Sequence, residues 1–167
     1  MKAYTDIEQS KKLAKILPVE TSDMRYGYIE PYDFSDRMYD GGYDEVPYPK
    51  DFLKKNSEIS DDVYESELPC WSLTALIDVL PQYIKLPQDT HDANNNPAYK
   101  GETYSFSIER HGLFGDKWFS RYNGKHKRQY ANKHVRVYID LFMSKDYDNP
   151  IDACYEMILK LYEQKIL

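Results

Sequence analysis

KWFSRYNGKHKRQYANKHVRVYIDLF, residues 117–142, is the stretch whose reading decides the fold. Both of its ends alternate. In 117–123, Trp118, Ser120 and Tyr122 fall on one side, with Phe119 and Arg121 on the other. In 134–142, Val135, Val137, Ile139 and Leu141 give the cleanest period of two in the chain. Successive strand side chains point to opposite faces, so both ends read as half-buried strands. The middle, 123–134, is basic and polar and reads as a long loop joining them. Upstream, Tyr104, Phe106 and Ile108 alternate with Ser105, Ser107 and Glu109, which predicts a third strand over 103–110. HGLFGD, 111–116, is a tight connection with two glycines. Three alternating runs in succession predict an antiparallel meander.

Helices flank the meander. In PCWSLTALIDVLP, 69–81, Leu73, Leu76, Ile77 and Leu80 share one helical face. Ser72 is the expected N-cap, and Trp71 with Leu76 has the spacing of a hydrophobic staple. Cys70 lies just outside this helix, where the dipole can lower a thiol pKa. Buried free thiols are nevertheless the default for Cys70 and Cys154, both in apolar surroundings. At the C-terminus Asn149 caps, Pro150 takes the first helical position, and Asp152 suits the positive end of the dipole. Ile151, Cys154, Tyr155, Ile158, Leu161 and Tyr162 form the apolar stripe that follows. Near the N-terminus, 5–17 predicts a helix with Thr5 and Glu8 as a capping box and Pro18 as its stop.

Residues 26–68 mix tyrosines, acids, prolines and glycines without either period and read as an irregular surface segment, with a turn at Asp40-Gly41-Gly42. The polar run 84–101 reads as loop. The expected architecture is therefore α+β: a three-stranded antiparallel sheet packed by helices, in the core order α-β-β-β-α over 69–167. An N-terminal helix within 1–25 and the irregular acidic, tyrosine-rich segment 26–68 precede it, all in a single domain 1–167. A chain of 167 residues can bury roughly 70% of its unfolded surface without metal or disulfide.

Charge is unevenly spread. Residues 1–68 hold 16 acids and 9 bases, whereas 101–136 hold 3 acids and 8 bases, within a chain of net charge −6. Two cysteines are too few for a disulfide framework. MKAYTDIEQSKK lacks the apolar core of a signal peptide. No run approaches the roughly 20 apolar residues that span a bilayer. The expectation is a cytoplasmic protein with no membrane association.

Catalytic signatures are missing from the sequence. His91, His111, His126 and His134 fall in no metal-ligand spacing. HGLFGD lacks the lysine and serine of a phosphate-cradling loop, and no GxSxG turn occurs. The expectation is a chain without cofactor, more an interaction module than an enzyme, with an enzyme of unrecognised type as a further alternative. Seventeen tyrosines, apolar in body and polar at the tip, favour a protein-interaction or accessory role, with self-association or a protein partner. The alternative is nucleic-acid binding through 117–136, where Lys117, Arg121, Lys125, Lys127, Arg128, Lys133 and Arg136 interleave with Trp118, Phe119, Tyr122 and Tyr130. Cations neutralise phosphates and aromatic rings stack bases. Against it stands the overall acidity, with a pI of about 5.2. The same cations can instead answer the acids of 1–68.

Three blocks, LPVETSDMRY at 17–26, PCWSLTALIDVLP at 69–81 and NPIDACYEMILKL at 149–161, resemble a family of small uncharacterised proteins of gut anaerobic bacteria and their phages or mobile elements. The resemblance implies a mobile-element setting. It brings no activity, cofactor or site residue with it.

Overall fold

The computed structural model describes residues 2–29, 32–34, 37–39, 41–50, 63–92, 95–111, 116–130 and 133–167. They divide into two compact units, Lys2–Leu76 and Ile77–Leu167. Strand residues outnumber helical ones, and the strands form a three-stranded, a four-stranded and two two-stranded antiparallel sheets. The expected single three-stranded sheet is thus overturned in both units.

The first unit opens with α1 (Ile7–Leu13), and a 3-10 turn follows at Val19–Thr21. The capping box exists, but Asp6 and Gln9 make it, one residue later than the sequence suggested. Thr5 is taken by the interior. Its hydroxyl accepts the Trp71 N–H at 3.1 Å and shares a hydrogen bond with Ser10 at 2.8 Å. Its carbonyl accepts the Tyr26 hydroxyl at 2.6 Å. A fully buried side chain with these partners cannot cap a helix, so Asp6 does.

The segment expected to be irregular supplies this unit's sheet. Strands β1 (Met24–Ile29), β4 (Gly42–Pro49) and β5 (Val63–Cys70) pair in the order β4-β1-β5. A short hairpin, β2 (Tyr32–Phe34) with β3 (Arg37–Tyr39), lies between them in sequence. Of the expected turn, Gly41 is described, at φ 75°, where glycine is favoured; Asp40 lies outside the described residues. No alternation marks β1 because Arg25, Tyr26 and Gly27 are buried in succession. A strand covered on both faces has no period of two. Pro47, Pro49 and Pro69 argue against strands only for a central position; β4 and β5 are the two edges, where a missing N–H is tolerated.

Helix α2 (Leu73–Val79) begins as expected: the Ser72 hydroxyl oxygen accepts the Ala75 N–H at 3.3 Å. Ser72 also donates its own N–H and hydroxyl to Asp23. Trp71 is fully buried, and its indole N–H reaches the Thr21 hydroxyl at 3.0 Å.

In the second unit, β6 (Tyr83–Lys85), β9 (Thr103–His111), β10 (Lys117–Tyr130) and β11 (Lys133–Met143) form a sheet in the order β11-β10-β9-β6. A small hairpin, β7 (Thr90–His91) with β8 (Pro97–Ala98), interrupts the connection from β6 to β9. The meander β9-β10-β11 is the one expected, with two corrections. First, β6 adds a fourth strand; it is three residues long with only Ile84 buried, too short for a periodic signal. Second, the basic stretch 123–134 is not a loop: β10 runs to Tyr130 and β11 starts at Lys133. Four residues of the connection expected at 111–116, 112–115, lie outside the described residues.

The last helix, α3 (Pro150–Glu163), matches its sequence signals. Asn149 accepts the Asp152 N–H at 3.0 Å. Ile151, Ala153, Cys154, Met157, Ile158 and Leu161 are all at 0% exposure, each large apolar side chain contributing about 1.5–3 kcal/mol by burial. Tyr162, counted in the stripe, is 48% exposed and stands outside it. Ser120 of β10 ties helix to sheet by donating to the Ala153 carbonyl at 2.7 Å. No helix among the described residues is long and apolar enough to cross a membrane.

Candidate functional site

The β10–β11 ladder sorts the seven cations expected to bind a partner. Antiparallel register places Lys125 opposite Tyr138, Lys127 opposite Arg136, and Gln129 opposite His134. Residues paired across a ladder share a face. All six are exposed, and Tyr138 is 69% exposed. The Lys125 ammonium lies 4.9 Å from the centre of the Tyr138 ring. Among the described residues no ion pair reaches Lys125, Lys127, Arg136 or Lys133. Lys133 is exposed at the hairpin end and pairs with Tyr130, so it belongs to the opposite face.

The other three are engaged within the second unit itself. Arg121 donates from Nε and Nη2 to both oxygens of Glu109, each at 2.8 Å, and from Nη1 to Asp140 at 3.1 Å. Lys117 pairs with Asp148. Arg128 is 7% exposed and grips both oxygens of Glu102, at 2.8 Å for Nη2 to Oε2. Its guanidinium also lies 4.6 Å from the Tyr99 ring centre and donates to the Pro97 carbonyl at 2.9 Å. These three organise the fold. The sequence ran them together with the rest because a charge count does not show which cations the fold sets beside an acid.

The inward face of the same ladder carries an ionisable cluster that the sequence did not reveal. Glu102 accepts from Arg128, from the Tyr99 N–H at 2.9 Å and from the Tyr104 hydroxyl at 2.8 Å. Burial alone would raise the Glu102 pKa, but these donors hold it down at about 2. His126 sits 3.4 Å from the same carboxylate through Nδ1. Burial lowers its pKa, against the pull of Glu102. Its ring occupies the space a side chain at position 124 would need: a Cβ on Gly124 would lie 2.3 Å from His126 Nε2. A carboxylate this acidic, with its oxygens occupied by donors, is a poor general base.

The Cys70 thiol is fully buried. Burial pushes its thiol pKa up, and its Sγ–H donates to the Thr5 carbonyl at 3.4 Å. Burial raises Cys154 to about 12. Among the described residues no three His, Cys, Asp or Glu side chains gather as a metal ion requires.

Tyr138, Gln129 and His134 join the exposed face although none stood among the expected site residues. Tyr138 was within reach. The alternation that turns Val137 and Ile139 inward turns Tyr138 outward beside Arg136. A recess of about 200 Å³ opens beside Tyr138, lined by Asn96, Pro97, Arg128, Val137, Tyr138 and Ile139. No protein-family profile, no curated protein sequence and no solved structure matches this chain.

Proposed function

We propose that the chain binds a polyanion, nucleic acid in the first place, on the exposed face of the β10–β11 hairpin. One observation carries this: Lys127 stands directly opposite Arg136, both exposed, with no ion-pair partner among the described residues. Like charges directly opposed on a ladder cost stability. A repulsive pair of this kind is the local inconsistency expected where function, not folding, chooses the residues. Lys125 extends the patch. Six residues back along β10 from Lys127, Arg121 is neutralised by Glu109 and Asp140, so uncompensated cations are not a general habit of this surface.

The net charge of −6 opposes long-range attraction. It does not cancel a local patch, because charges are screened beyond about 10 Å at 0.1 M salt. Weak, salt-sensitive binding is the consequence. Three phosphate contacts give a log–log salt slope of about −2 on a single strand.

The expected protein-interaction role rests on the tyrosines of 26–68, and the geometry adds nothing to it, since most of those side chains lie outside the described residues. Two buried free thiols accord with a reducing, cytoplasmic compartment. The deciding experiment is fluorescence anisotropy with labelled mixed-sequence RNA and DNA at low and moderate salt. Micromolar binding that weakens with salt and is lost in Lys127→Glu/Arg136→Glu supports the reading. No binding at low salt overturns it and turns the search to protein partners.

A further inference from the structure

The cationic face has a neighbour that a simple phosphate clamp does not need. The Tyr138 ring is 69% exposed and by register shares a face with Lys125, Lys127 and Arg136, whereas Arg128, Val137 and Ile139, which line the recess beside it, belong to the opposite face.

Given the polyanion reading on which this rests, we infer that the site takes single-stranded nucleic acid, with one unpaired base stacked on the exposed Tyr138 ring. The neighbouring phosphates lie on Lys125, Lys127 and Arg136. Three physical points converge. Aromatic rings stack any base, and stacking needs a base freed from its partner. A duplex presents phosphates but keeps its bases inside, so it gains the cations and not the ring. Lys125 now covers one face of the Tyr138 ring; an exposed cation–π contact is weak and yields to a base, which frees the ammonium for phosphate.

The test compares four labelled probes of equal length by anisotropy at low salt: a single-stranded oligo-A, a single-stranded oligo-U, an abasic strand of the same backbone, and a duplex. The single strands should bind about ten-fold tighter than the abasic strand and the duplex. Tyr138→Ala should remove that ten-fold preference and Tyr138→Phe should keep it. Tyr138 is exposed, so these variants fold, which circular dichroism checks. Equal binding of all four probes, all lost in Lys127→Glu/Arg136→Glu, overturns the single-strand inference and leaves the polyanion reading standing. Absence of binding to every probe overturns both.

Discussion

Arg128 holds Glu102 by both carboxylate oxygens from the face of β10 opposite the exposed cations. The two side chains are 7% and 16% exposed, so little water remains to take over if one is removed. Arg128→Met should therefore cost about 3 kcal/mol, the lower end of the range for stranding a buried charge. Adding Glu102→Gln should recover much of that loss, since the stranded charge is gone. Urea denaturation of both single variants and the double variant measures the coupling. A loss no larger than for an exposed pair would show that the pair does not hold the hairpin.

The same carboxylate sets an acid limb. Its folded pKa, about 2, lies below the ordinary value of 4.5. A depressed carboxylate adds stability that is complete above its unfolded pKa and is lost as pH falls through the folded one. Stability should decline from about pH 4.5 toward pH 2, and Glu102→Gln should flatten this limb while lowering stability at neutral pH. An unchanged limb in the variant would assign acid unfolding to other carboxylates.

Gly124 faces the same cluster. A methyl group there meets His126 Nε2 at 2.3 Å and the Thr103 carbonyl at 3.0 Å. The ring can turn away; the backbone oxygen cannot. Gly124→Ala should destabilise by about 1–3 kcal/mol, the usual range for an overfilled site. His126→Ala should relieve part of it in the double variant. Full rescue would mean that the ring alone sets the limit, and no rescue would point to Thr103.

The residues that made the fold legible were those facing a single apolar partner layer. Val137, Ile139 and Leu141 alternate because α3 and the core cover one side of β11 only. Asn149 and Pro150 announce α3 because capping is local chemistry. The hairpin beyond residue 123 was illegible because its inward positions are Gly124, His126 and Arg128. Those residues are polar in composition, yet they are turned in toward Glu102. Hydrophobic periodicity cannot see a strand whose inner face is an ion pair. Strand β1 was hidden for a different reason, the burial in succession of Arg25, Tyr26 and Gly27. Of the site, the charge was visible and its division between two faces was not, since that follows from register.

The two thiols should be silent. Cys70 and Cys154 are at 0% exposure, and burial raises both pKa values. Neither should react with iodoacetamide at pH 8 in the folded protein, and both should react in denaturant, as mass spectrometry reads directly. Rapid labelling of Cys70 alone in native buffer would show that the Thr5–Cys70 contact opens, and would reopen the thiol as a reactive group.

Lys127→Glu separates stability from function. In the native ladder Lys127 and Arg136 repel each other; the variant places an acid opposite Arg136 instead. Cross-strand pairs of opposite charge contribute roughly 0.2–1 kcal/mol, and like charges remove a comparable amount. The variant should therefore be more stable by up to about 1 kcal/mol, read as a higher urea midpoint with an unchanged slope. It should at the same time bind nucleic acid at least ten-fold more weakly, because one phosphate contact becomes a repulsion. A fold that could gain stability by one substitution and keeps the repulsion is explained if the pair is held for an anion. Loss of stability in Lys127→Glu would remove that argument, since the native pair would then not be the costly one.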